Sequence, residues 1–91
     1  MSQAQLVDGL VIIALRIRNE DARALVIHEL TNFGEQVTSN IFELQTAHWD
    51  SDTWEERMRL FEAYLEGTGD RMIIWKFVGQ TYTRFTIHGS G

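Results

Sequence analysis

Cysteine and proline are absent from this sequence, positive charge is scarce, and no apolar run is long enough to cross a bilayer. Without cysteine there is no disulfide, no thiol nucleophile, no iron–sulfur cluster and no zinc ribbon. Without proline, no position is barred from donating a backbone hydrogen bond, which suits a chain built mostly of regular elements. The 8 Lys and Arg stand against 13 Asp and Glu, a net charge of −5. That balance argues against a surface that attracts nucleic acid everywhere and leaves room for a local basic patch. The longest apolar run is Leu10 to Leu15, and Met1-Ser2-Gln3-Ala4-Gln5 lacks the zones of a signal peptide. A soluble cytoplasmic protein without membrane contact is expected. What the chain does have is apolar content, 44% of its 91 residues, enough for one core in one domain.

Periodicity sets the order of elements. Leu10 to Ile17 is a β-branched apolar run, the mark of a central strand covered on at least one face. Asn19 followed by Glu20 and Asp21 reads as a helix cap with acids in the first turn. Ala22, Val26, Leu30 and Phe33 then recur at helical spacing, and Gly34 stands where a left-handed terminator belongs. Residues 35–46 are extended but change phase between Val37 and the pair Phe42 and Leu44. The strand must therefore break or bulge, and Ser39-Asn40 supplies a hairpin turn. Asp52-Thr-Trp-Glu55 has capping-box spacing with Asp52 as the cap. Trp54, Met58, Phe61 and Leu65 continue as a second helix that Gly67 ends, with Glu55 and Arg59 as an i,i+4 pair. Arg71 to Val78 is another strand, and Gly79-Gln80 a turn. Tyr82 to His88 then alternates, with Thr83, Phe85 and Ile87 on one side.

This order predicts an α+β, ferredoxin-like βαββαβ sandwich with an extra C-terminal strand, its two helices on one face of an antiparallel sheet. Residues 1–91 form a single domain with 1–9 and 89–91 as flexible ends. A bare sheet face carrying Phe85 and Ile87 calls for a partner, and a homodimer is expected.

The chain resembles the small adaptation subunit of CRISPR systems. That family opens with an apolar strand ending in an aromatic-Asp-Ile signature, followed by a helix ending at Tyr-Gly and a Val-Gln-x-Ser-Val-Phe-Glu segment. The counterparts here are Val11 to Ile17, Phe33-Gly34 and Val37-Thr-Ser-Asn-Ile-Phe-Glu43, with Arg71 to Phe77 and Phe85-Thr-Ile-His-Gly89 matching the late strands. The resemblance implies a homodimeric scaffold for spacer acquisition that bridges the CRISPR integrase subunit and duplex DNA. It also places the family's metal-holding aspartate at Arg16. A guanidinium repels the hard cation that a carboxylate would hold, so no Mg²⁺ cofactor and no metal-dependent cleavage are expected by this route. An ion pair of Arg16 with Glu20 or Asp21 is one expectation. Phosphate contact through Arg16 and Arg18 is another, since guanidinium forks match phosphate oxygens. With Arg23 and Arg84 they are the expected DNA-binding set.

Other groups favour structure over chemistry. His48, Asp50 and Asp52 form a weak metal-ligand pattern on a loop, His28 lies on a helix surface, and His88 is assigned no chemistry. Ser39 has no adjacent base or oxyanion-hole motif. Glu62 and Glu66 are like charges one turn apart and need burial to act as acid and base. Trp75, Phe77, Tyr82 and Phe85 suggest a base-stacking platform but fit core or dimer packing better. Two further readings remain. One is a Mg²⁺-dependent endoribonuclease or toxin similar to virulence-associated protein D, using Glu43, Asp50 or Asp52. The other is a small ligand-sensing dimer.

Overall fold

The computed structural model describes residues 9–46 and 49–89. These form β1 (Leu10–Arg16), α1 (Glu20–Phe33), β2 (Gly34–Thr38), β3 (Ile41–Gln45), α2 (Ser51–Leu65), β4 (Arg71–Val78) and β5 (Thr81–His88). The sheet order is β2-β3-β1-β4-β5 and every neighbouring pair is antiparallel. Among the described residues no helix is long and apolar enough to cross a membrane.

The apolar run of β1 divides by the period of a strand. Val11, Ile13 and Leu15 are buried beneath the helices, whereas Leu10, Ile12 and Ala14 are half-buried on the opposite face. Phe42 and Leu44 of β3 and Met72 and Ile74 of β4 complete the covered face. Val26 and Leu30 of α1 and Phe61 and Leu65 of α2 close over it. Each such side chain contributes roughly 1.5–3 kcal/mol by leaving water.

The first helix begins as its sequence predicts, with the Asn19 side chain accepting from the Ala22 amide at 2.9 Å. Its end differs from expectation. Gly34 has φ −156°, ordinary extended backbone, and opens β2 instead of turning left-handed. A side chain is excluded there by close approach, since a Cβ would lie 2.5 Å from the Glu43 carbonyl oxygen. The second helix is capped by Asp50, not Asp52. The Asp50 carboxylate accepts from the Thr53 amide at 2.7 Å, which starts the helix at Ser51 and leaves Asp52 exposed in its first turn. After α2, Gly67 and Gly69 adopt φ of +79° and +75°, conformations that favour glycine in the turn to β4.

The phase change in residues 35–46 appears as both a hairpin at Ser39-Asn40 and a bulge between Gln36 and Thr38, which leaves Val37 exposed. One face assignment is overturned. Phe85 and Ile87 pair with Ile74 and Met72, so they point into the helix-covered core. Directly opposed residues share a face, and the β4 partners of these two are core residues. The bare face carries Ile12, Ile73, Trp75, Phe77 and Tyr82 instead. Gly9 and Gly89, expected in flexible ends, are held. The Gly9 carbonyl accepts from the Thr46 amide and hydroxyl, and the Gly89 amide donates to the Asp70 carbonyl. The remainder of those ends lies outside the described residues.

Candidate nucleic-acid interface

The four expected arginines do not form one patch. Arg16 ends β1 on the bare face and Arg18 follows in the connection to α1, both exposed. Arg23 is engaged elsewhere. Its Nη1 donates to Asn40 Oδ1 at 2.9 Å and its Nη2 to the Ser39 carbonyl at 2.5 Å, tying α1 to the hairpin turn. Arg84 lies on β5 with its guanidinium 5.9 Å from the Trp75 ring centroid.

Arg16 and Arg18 instead share a cleft of about 820 Å³ with two groups that sequence reading missed, Arg71 and His88. The register explains the grouping, because Arg16 pairs with Arg71 and Arg71 with His88 in a single cross-strand row. A signal for this was present. In an antiparallel pair the last residue of one strand meets the first of the other, and Arg71 opens β4, which lies beside β1.

The expected ion pair between Arg16 and Glu20 or Asp21 is not formed. Among the described residues the ion pair is Arg59 with Glu55, at 3.7 Å. The cleft's one carboxylate, Asp70, is buried. Its Oδ2 accepts from the Asn19 amide at 3.0 Å. Hydrogen bonds from the Asn19 and Arg18 amides hold this carboxyl below the usual aspartate range. Asp70 also donates its own amide to Thr68 Oγ1 and so joins the start of α1, the turn before β4 and the end of β5.

The remaining candidates are dispersed. Glu43 sits on the bare face opposite Glu35 and Ile12, while Asp50 caps α2 on the other side of the sheet. The Thr53 amide lowers the Asp50 carboxyl's pKa. His48 lies outside the described residues. Among those described, no three His, Asp or Glu side chains gather into a group able to hold a metal ion. Glu62 is exposed on α2 and Glu66 at its C-terminal cap, His28 is exposed on α1, and Ser39 is exposed in the hairpin turn.

Strand alternation splits the proposed stacking platform. Phe77 and Tyr82 meet at a tilt of 43° on the bare face with centroids 5.6 Å apart, whereas Phe85 meets Trp54 at 5.9 Å on the helical side. Trp54 in turn meets Trp49, which meets Phe33, and Arg57 and Lys76 lie over rings of this cluster.

No family model, no curated protein and no solved structure matches the chain.

Proposed function

We propose that the chain is a dimeric, non-hydrolytic DNA scaffold similar to the small adaptation subunit of CRISPR systems. Its strand order, with both helices over one face, agrees with the ferredoxin-like plan extended by an edge strand. The observation that carries the reading is the pairing of Arg16 with Arg71 at the lip of β1, where metal-dependent relatives hold a cation with aspartate. Two guanidiniums there favour phosphate oxygens over Mg²⁺.

The second protomer would cover the bare face. That face is apolar at its centre, through Ile12, Ile73 and Trp75, and polarised across its width. Glu35 and Glu43 lie toward β2 and Arg84 on β5. A two-fold axis along the strands brings these opposite charges together in an isologous interface. Such a dimer would work in the cytoplasm, bridge copies of the integrase subunit and span a short duplex.

Solution mass together with duplex binding, with and without Mg²⁺ or Mn²⁺, tests this. A species of twice 10.5 kDa is expected, with affinity that falls steeply with salt and no cleavage. A clean monomer defeats the dimer. Metal-dependent cleavage lost in Glu43→Ala or Asp50→Ala replaces the scaffold with a nuclease similar to virulence-associated protein D. Absence of duplex binding even with integrase present leaves the ligand-sensing dimer.

A further inference from the structure

We infer that the cleft at the end of the sheet is a binding site for a single phosphate group, built by Arg16, Arg18, Arg71 and His88. Its use on DNA rests on the scaffold reading, whereas its affinity for phosphate does not.

Like charges directly opposed across antiparallel strands are destabilising. Arg16 and Arg71 nevertheless stand opposite one another, and His88 extends the row on the far side of Arg71. No carboxylate pairs with either arginine among the described residues, in a chain whose net charge is −5. The acids nearest to Arg16 in sequence, Glu20 and Asp21, do not line the cleft. Asp70 does line it and attracts Arg18, but its Oδ2 is occupied by the Asn19 amide. Three guanidiniums against one hydrogen-bonded carboxylate leave a net positive cleft.

The donors come from three segments: Arg16 and Arg71 stand side by side in one row on β1 and β4, and Arg18 lies in the β1–α1 connection. A phosphate presents acceptor oxygens tetrahedrally and can take a fork from more than one arginine, whereas a carboxylate offers one planar edge. The volume of about 820 Å³ exceeds what one phosphate fills, so the group can arrive attached to a nucleotide or to a strand. An anion seated between Arg16 and Arg71 converts their repulsion into attraction. The fold is therefore least stable when the site is empty.

The experiment follows the melting temperature of the full chain in inorganic phosphate and in chloride at matched ionic strength. Phosphate is expected to raise it and chloride is not. In Arg71→Gln and in Arg16→Gln the chain without phosphate melts higher than the parent, and phosphate affinity falls roughly tenfold or more. Arg59→Gln, which changes an exposed cation away from the cleft, leaves the phosphate response intact. The inference is overturned if phosphate behaves as chloride does, or if both cleft variants keep the full response. Their melting temperatures also report whether they fold. A second arm uses a short duplex. Loss of duplex affinity in Arg71→Gln assigns the site to the nucleic-acid backbone. Unchanged duplex affinity alongside a lost phosphate response keeps the site for a free phosphate ester and separates it from the scaffold.

Discussion

Two cations stacked on rings, Arg57 of α2 and Lys76 of β4, and the arginines at the sheet end occupy opposite electrostatic settings. Arg57 lies 3.7 Å from the Phe33 ring centroid and 4.9 Å from that of Trp49, with its Nε buried and unpartnered. Lys76 lies 4.4 Å from the Trp54 centroid. Arg16 and Arg71 are exposed and face each other, with neither a ring nor a carboxylate between them among the described residues. The first group completes a packing surface that aromatic residues alone leave open, and its charge is absorbed by ring faces. The second has neither a ring nor a carboxylate partner among the described residues. The difference teaches that cations belong to the fold where they are stacked and to a ligand where they repel one another.

The largest expected effect tests the stacked half of that comparison. Arg57→Ala removes both the stem and the guanidinium between two rings and should cost about 2 kcal/mol in urea unfolding. Arg57→Met keeps an unbranched stem against the rings and removes the unpartnered Nε, so it should recover most of that loss. A neutral Arg57→Ala would mean that the rings pack without the cation, and the contrast between the two regions would collapse.

The next effect appears in the pH profile. Asp70 has its pKa lowered in the fold, chiefly by the Asn19 amide. A carboxyl whose folded pKa lies below its unfolded value adds stability that is present above the unfolded pKa. That stability is lost as pH falls from about the ordinary 3.8 through the folded value. Asp70→Asn should lower stability at pH 7 and flatten the acid limb, as read from urea midpoints between neutral pH and pH 3. A residual slope is expected from Asp50, whose carboxyl is also lowered by its cap hydrogen bond to the Thr53 amide. An unchanged acid limb in Asp70→Asn would remove Asp70 as the tie between the cleft and the fold.

Which of these groups could be read from sequence depends on whether their partners are local. The boundaries of α1 and β4 follow from cap, period and apolar run, all contained within a dozen neighbours, and they stand as expected. The misplacement of Phe85 and Ile87 was a matter of register. Alternation gives two sides of a strand, but only the pairing with Met72 and Ile74 says which side is covered. The cap of α2 was displaced because Asp50 and Asp52 both offer a carboxylate ahead of an amide, and spacing alone does not rank them. Arg16 and Arg18 could be singled out from the chain, whereas Arg71 and His88 entered the site through cross-strand pairing over 55 and 72 residues of sequence from Arg16. Arg23 left it because its two hydrogen bonds lie across the hairpin turn.

A smaller effect sharpens the repelling half of the comparison. Arg16→Asp sets an acid opposite Arg71. A directly opposed pair of unlike charge in place of like charge should add about 0.5 kcal/mol at low salt. The gain should fade as salt screens two exposed side chains. Unfolding at two ionic strengths reads it. A loss of stability instead would show that Arg16 is held by the fold after all.

The smallest effect belongs to the surface ion pair found among the described residues. Glu55 and Arg59 are 3.7 Å apart on α2, with side chains 64% and 75% exposed. Their orientation, acid before base by one turn, is the favourable one, yet water and side-chain entropy leave only about 0.3 kcal/mol. Glu55→Gln should therefore shift the urea midpoint barely beyond error, and 1 M salt should erase the shift. This pair is the reference for the whole comparison, because it is what an exposed arginine contributes when a carboxylate does face it. If Glu55→Gln costs as much as Arg57→Ala, exposure no longer separates the cations that build the fold from those that do not. The inference that Arg16 and Arg71 await an anion would then lose its energetic footing.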